Sequence, residues 1–299
     1  MHKIIVIINP KSGTTDKAEV PAVIENVLNK NLFSVEYRYV AEEGDAFRFA
    51  REAVDGNYYG VMAVGGDGTV NGAASALVDT PVALAVVPCG SGNGLGRHMN
   101  IPMKIDEAIK IVNKNQVEDF DYCTLNDRPF MCTCGMGFDA QVAYDFALDG
   151  KRGLTTYVKK TILDYIHYEP ENYRLEFDDH IIENKAFVIS CCNAAQYGNN
   201  SFIAPHASIQ DGLIDITMIT PFPFFMAPVM GLRLFLKNID KDHYVQIFRA
   251  KEVKIMREKA GPMHIDGDPV EMPAQLEIKC HPGGLKMFSP GLGENNVPQ

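Results

Sequence analysis

Basic residues are in short supply. The 299-residue chain carries 28 Lys and Arg against 38 Asp and Glu, a formal net charge of −10. A nucleic-acid surface needs cations to neutralise phosphates, so this balance excludes general nucleic-acid binding. A local basic patch remains compatible with it. Paired cysteines are missing as well. None of the seven cysteines forms a CxxC pair, which argues against a zinc site. Their odd count, with no secretory leader before them, suits reduced and mostly buried thiols in a cytosolic protein. The N-terminal MHKIIVIINPKSG has too short an apolar run for a secretory core. The greasiest stretch, 221–237, is broken by Pro221, Pro223, Pro228 and Arg233, and falls short of the roughly 18 apolar residues a span requires. No repeat, low-complexity tract or Gly/Ser linker interrupts the chain. Neither GxxxxGK[ST] nor GxGxxG occurs, so the P-loop and the dinucleotide fingerprint are both excluded.

What is present is a length that suggests two domains and a composition, 46% hydrophobic, sufficient for a sizeable core. The first third alternates strand-like and helix-like segments. IIVII (4–8), FSVEYRYV (33–40), GVMAV (60–64) and VALAVV (82–87) read as strands. Helices are expected at 17–30, from Asp45 as an N-cap, and from about Val70. This order implies a parallel sheet between helix layers. After about residue 115 the pattern turns strand-rich. Two strands flank an Asn126-Asp127 turn. Helical pieces follow near 139–147 and 153–168. Strands then recur at YRLEF, KAFVISCCN, LIDITMIT, HYVQIF, EVKIM and QLEIKC. The expected architecture is an α/β nucleotide-binding domain over 1–124, joined by a C-terminal tail at 286–299, and a mainly antiparallel β-sandwich over 125–285.

Three strands of the first domain end in glycine-rich corners: NPKSGTT (9–15), GGDGTVN (65–71) and CGSGNGLGRH (89–98). In an open parallel sheet the strand C-termini share one edge, so the corners should meet in one crevice. Glycine lets the backbone approach an anion closely. Helix N-termini add free N–H groups and partial positive charge. Ser12, Thr14, Thr69 and Ser91 add hydroxyl donors. Together they suit a polyphosphate. Asp67 stands alone among these glycines and would repel phosphate, so it is expected to engage magnesium or a substrate hydroxyl.

NPKSG, GGDGTVN and PCGSGNGLGRH, in this order and spacing, resemble the diacylglycerol kinase catalytic family, which includes bacterial soluble lipid kinases and sphingosine kinases. NDRPFMCTCGMGFDA, VISCCNAAQYGNNSFIAPHASIQDGLIDITMI and HIDGDPVE extend the resemblance over nearly the whole chain. It implies ATP contacts at Asn9, Pro10, Lys11, Ser12 and Gly13, at Gly65, Gly66, Asp67, Gly68, Thr69, Val70 and Asn71, and at Ser91. Val40 stands where many relatives have a nucleotide-binding Thr. The resemblance also implies a structural magnesium held by the carbonyls of Ser208 and Leu213 and the carboxylate of Asp211, with Asp139 in its second shell. Taken without the resemblance, 208–213 is an ordinary Asp-Gly turn and Asp139 a helix N-cap. The family's general base is the Glu of a DGE motif. Here Asp268 aligns with it, one methylene shorter, and Asp67 is the other candidate. The DGD stretch also fits a plain Asp-Gly hairpin.

The implied reaction is magnesium-dependent transfer of the γ-phosphoryl group of ATP to a lipid hydroxyl, of diacylglycerol or sphingoid type, by a cytoplasmic enzyme, with peripheral contact at the inner face of the membrane as an option. Lys151, Arg152, Lys159 and Lys160 among apolar residues, and the Phe- and Met-rich stretch at 221–237, are candidates for peripheral membrane contact, or core stripes with a solvated edge, the more ordinary reading. Tyr197 and His206 are candidates to border the acceptor, or buried packing residues. Two alternatives remain at this point: an NAD kinase-like enzyme, and an inactive nucleotide- or lipid-binding regulator. The acceptor and the oligomeric state are left open.

Overall fold

The computed structural model describes residues 1–13, 17–149 and 168–291. Thr14, the basic segment at 151–160, the helical piece expected over 153–168 except its last residue, and the tail from 292 on lie outside the described residues. The chain forms two compact units. The first is Met1–Tyr122 with Ile209–Asp211 and the described residues from His281. The second is Cys123–Ser208 with Gly212–Cys280.

In the first unit, β1 (His2–Ile8), β2 (Phe33–Tyr39), β3 (Gly60–Gly65) and β4 (Ala83–Pro88) form a parallel sheet in the order β2-β1-β3-β4. Ile4–Ile8 have no polar alternation and are all at most 1% exposed, as a strand covered on both faces requires. The connecting helices are α1 (Val20–Val27), α2 (Asp45–Asp55), α3 (Asp67–Leu77), α4 (Gly94–His98) and α5 (Ile105–Asn113).

Three sequence expectations are corrected here. The first helix is shorter than 17–30, because Pro21 sets its first turn and Leu28 is already extended. Asp45 is not the N-cap of α2. Gly44, at φ 87°, takes that position. The Asp45 carboxylate instead accepts backbone N–H bonds from Ala41 and Glu42 and pairs with Arg48. These donors, the Ala41 N–H foremost, hold its pKa down at about 2. Finally, α3 begins at Asp67 rather than Val70. Thr69 and Val70 both donate to the Gly66 carbonyl, so the aspartate of GGDGT lies in the first helical turn.

Short returning segments complete this unit. The Asp121 N–H donates to the Ile209 carbonyl, and the Asp121 carboxylate accepts the Gly283 N–H at 2.8 Å. His281 stacks on Tyr122 with ring centroids 4.6 Å apart. β5 (Val117–Leu125) carries the chain from the first unit into the second and pairs with β6 (Arg128–Phe130). The second unit is antiparallel. One sheet runs β12 (Val245–Ala250), β11 (Ile214–Ile219), β10 (Val188–Cys192), β7 (Thr133–Gly137), β14 (Gly261–Ile265), β15 (Asp268–Met272). The other pairs β9 (His180–Ala186), β8 (Glu171–Phe177), β13 (Glu252–Arg257) and the first part of β16 (Gln275–Phe288). β16 then passes into the first unit, where Met287 pairs with Leu84.

Inward side chains of both sheets, including Cys134, Cys191, Ile216, Leu175 and Ile255, make one core. KAFVISCCN, expected as one strand, divides at Phe187 into β9 and β10, which join different sheets. The fold is thus an α/β domain with a parallel sheet followed by an antiparallel β-sandwich. All seven cysteines are free thiols, six of them buried. Burial pushes Cys134 and Cys192 well above the ordinary thiol range, which leaves them unreactive.

Candidate active site

β1, β3 and β4 are neighbours and parallel, so their C-terminal ends bring the three corners to one edge. The corners touch each other. A Cβ on Gly90 would stand 2.4 Å from the Gly66 Cα, and one on Gly13, at φ 60°, would strike the Cys89 carbonyl. These glycines therefore permit loop-on-loop contact as well as a bare backbone. The Asn9 side chain donates to the Thr69 hydroxyl at 3.0 Å, tying the first corner to the second. Asn93, at φ 52°, closes the third corner by exchanging two 2.8 Å hydrogen bonds with Gly90.

Asp67 joins the second corner to the third. Its carboxylate accepts the Asn93 N–H at 2.9 Å and the Gly94 N–H at 2.7 Å. Those donors open α4, so a carboxylate there also complements the helix dipole. Each oxygen holds one N–H and retains acceptor capacity. The donor chemistry of Asp67 therefore still fits a magnesium ion.

Of the other nucleotide candidates, Lys11 reaches the Ala41 carbonyl and Ser12 bonds back to Asn9. Gly68 and Ser91 are exposed, Val70 is buried, and Asn71 is half-buried. Val40 continues β1–β2 pairing through its N–H to Ile8. Lys17 was not singled out from the sequence. It is 4% exposed, and its ammonium donates to the Ser12 carbonyl. It also opposes the upward push that burial gives the Cys89 thiol. The available signal was a cation eight residues beyond Asn9 in a glycine-rich loop.

Within the second unit, Asp266 and Gly267 form a two-residue hairpin with φ of 49° and 91°, and Ile265 pairs with Asp268. The plain hairpin reading of IDGDP is therefore correct as geometry. Asp266 fixes its position by accepting N–H bonds from Met131, Cys132 and Thr133 at 2.7–2.8 Å. Asp268 follows at the exposed start of β15.

Nearby in sequence, His264 points its Nε2 at the Asp139 carboxylate (3.3 Å), which also accepts the Tyr197 hydroxyl at 2.8 Å. Burial, with Asp139 adding to it, pushes the Tyr197 phenol well above its ordinary range, so it stays a hydrogen-bond donor. Asp139 lies in the first turn of α6 (Phe138–Asp149). His206 stands apart from this group, half-exposed beside Asp240. Ser208 to Leu213 make a turn through Gly212 at φ 70°, with Asp211 exposed. The ligand set that the resemblance implies, two backbone carbonyls and one carboxylate, is all oxygen, the ligand type magnesium prefers. No group of three or more His, Cys, Asp or Glu suited to a metal occurs among the described residues. A surface groove of about 620 Å³ beside β8 and β13 is lined by Arg174, Lys185 and Arg257, and includes none of these candidates.

Residues 3–125 match the family described as diacylglycerol kinase catalytic domain. Residues 133–289 match the YegS C-terminal NAD kinase beta sandwich-like domain. The chain belongs to the diacylglycerol kinase catalytic family with a YegS-type sandwich. It is 29% identical over 294 residues to a Chromohalobacter salexigens protein named "Probable lipid kinase YegS-like", covering 95% of this chain and 92% of that one. A protein of the same name from Stenotrophomonas maltophilia is 27% identical, covering 86% and 87%. A crystal structure of a diacylglycerol kinase from Bacillus anthracis superposes with a TM-score of 0.74 at 20% identity, over 99% of this chain and 98% of that one. The NAD kinase of Archaeoglobus fulgidus, solved with ATP, gives 0.54 at 15% identity, over 99% and 95%. These two structures establish the fold. The family is one of lipid kinases, and no helix among the described residues is long and apolar enough to cross a membrane.

The contact between corners has a direct test. Gly90→Ala forces a methyl against the Gly66 backbone, which cannot rotate away. We expect a loss of about 1–3 kcal/mol in urea unfolding. Gly231→Ala, where nothing lies within 4 Å, should be neutral or slightly stabilising in the same assay.

Proposed function

We propose that the protein transfers the γ-phosphoryl group of ATP to the hydroxyl of a membrane lipid of diacylglycerol or sphingoid type. The observation that carries this reading is the tie between the glycine corners: Asp67 on the N–H groups of Asn93 and Gly94, and Asn9 on Thr69. Such a cross-tied edge holds its backbone donors ready before the nucleotide arrives, and phosphoryl transfer depends mainly on positioning and charge neutralisation.

In this reading Asn9 to Gly13, Gly65 to Asn71 and Ser91 bind ATP. Lys17 adds a cation beside the first corner. The acceptor oxygen forms a bond to the γ-phosphorus as the bond to ADP breaks. Asp268 takes the hydroxyl proton. Asp268 is exposed at the head of β15. Magnesium, when bound, neutralises phosphate charge. Asp67 would hold one ion, and Ser208, Asp211 and Leu213 a structural one, with Asp139 in its second shell, oriented by Tyr197 and His264. The enzyme would meet its acceptor at a membrane surface.

The test is phosphate transfer from γ-labelled ATP with magnesium, offered diacylglycerol, a sphingoid base, ceramide, monoacylglycerol and phosphatidylglycerol in mixed micelles, and NAD in buffer. Label in one lipid is the expected result. Label in NAD alone would replace the lipid reading with the NAD kinase-like one. ATP binding with no transfer to any acceptor would favour a regulator.

A further inference from the structure

The stretch 221–237, too interrupted to span a membrane, folds as a turn containing Phe224–Met226 and then α7 (Ala227–Phe235). Met230 is buried and Leu234 packs with it in the smaller core of the second unit. The opposite side of the helix is equally apolar but faces out. Phe225 is 75% exposed, and Leu232, Phe235 and Leu236 are 58–59% exposed. Phe225, Val229, Leu232 and Leu236 recur at spacings of four, three and four, which makes one continuous stripe on a helix. Single exposed apolar residues are ordinary. Here, however, six of the eleven large exposed apolar side chains among the described residues fall between 224 and 236, and a contiguous patch of that kind marks an interaction surface.

Charge narrows the occupant. The chain has ten more acids than bases, yet residues 216–239 contain no Asp or Glu and two bases, Arg233 and Lys237. Lys237 and Lys241 are exposed at the C-terminal end of the stripe, where Lys237 also caps the Phe202 ring at 4.2 Å. Between Pro221 and Leu236 only Arg233 carries a polar side chain, and it is paired with Asp242. A protein interface needs about one hydrogen bond per 100–200 Å² and a polar rim. This face offers almost no donors or acceptors, whereas hydrocarbon requires none. Apolar stripe, flanking lysines and excluded acids are the combination that seats a helix in the headgroup region of anionic lipid.

We infer that the outward face of α7 and its preceding turn docks on an anionic bilayer, with Phe225, Leu232 and Leu236 entering the acyl boundary and Lys237 and Lys241 on the headgroups. The inference builds on the lipid-kinase reading for its purpose, since a lipid acceptor sits in that surface, but its test needs neither ATP nor turnover.

The chain contains no tryptophan, so Phe225→Trp places a single emitter on the stripe. Its fluorescence should shift to the blue and be quenched by brominated acyl chains on mixing with vesicles of phosphatidylcholine and phosphatidylglycerol. Phe225→Ser with Leu232→Ser and Leu236→Ser should reduce co-sedimentation with those vesicles by about tenfold or more, while thermal unfolding stays cooperative. Lys241→Glu should weaken binding and flatten its salt dependence. An unshifted tryptophan, or equal binding to phosphatidylcholine alone, would overturn the inference. So would concentration-dependent dimers that the triple serine variant abolishes and vesicles do not compete for. If docking fails while lipid is phosphorylated, only this inference is lost. If docking succeeds while no lipid is labelled, only the lipid-kinase reading is lost.

Discussion

Asp67→Asn is expected to lower kcat by about 10²-fold or more in a protein that remains folded by circular dichroism and thermal unfolding. The reason is specific to the contacts observed. Asp67 is an acceptor twice over, for the Asn93 and Gly94 N–H groups. An amide keeps only one acceptor oxygen, and its NH₂ would face a backbone donor. The third corner would separate from the second, and the negative charge that a magnesium ion requires would go with it. Asn93→Ala separates the two contributions. It removes the Asn93–Gly90 exchange that closes the third corner but keeps the Asp67 carboxylate. If it weakens ATP binding while kcat stays within about tenfold of wild type, Asp67 acts through more than loop closure. Turnover of folded Asp67→Asn near that of wild type would sink the assignment of Asp67 to the reaction.

The second large effect is expected at the hairpin. Asp268→Asn should lower kcat by roughly 10²–10⁴-fold, the usual range for a lost general base, with little change in KM for ATP. Asp268→Glu, which restores the family's spelling, should equal or exceed wild type. Asp266→Asn should behave differently. Asp266 accepts three backbone N–H groups, and placing an amide NH₂ among them costs stability before chemistry. Its signature is a lowered unfolding midpoint together with reduced kcat. If Asp268→Asn turns over at the wild-type rate, the proton goes elsewhere, and Asp67 becomes the remaining carboxylate named for that step.

The two aspartates of the DGD hairpin show how far sequence reading reaches. Asn126-Asp127 and Asp266-Gly267 were legible as two-residue turns because their left-handed backbone demand is local. That β1, β3 and β4 share a parallel sheet was legible because buried apolar runs alternated with helical segments. The glycine corners were legible as a set because three strands ended alike. The partners of Asp266 were not legible, since they lie more than 130 residues away. The group around Asp139 was not either. Tyr197 and His264 reach it from different strands and loops, and no spacing rule connects them.

The sequence by itself determined the architecture class, the strands that carry the corners, the family and the residue types available for phosphoryl transfer. Those features depend on short-range periodicity and turn chemistry, which a linear string records. The tertiary structure alone decided what the residues hold. It assigned the Gly66–Gly90 approach to loop packing, turned Asp67 into a tie between corners, buried Lys17, and faced the apolar stripe of α7 outward. Each of these is set by which distant backbone comes within contact distance or stays away from it, and burial of a side chain is a property of its surroundings rather than of its own chemistry.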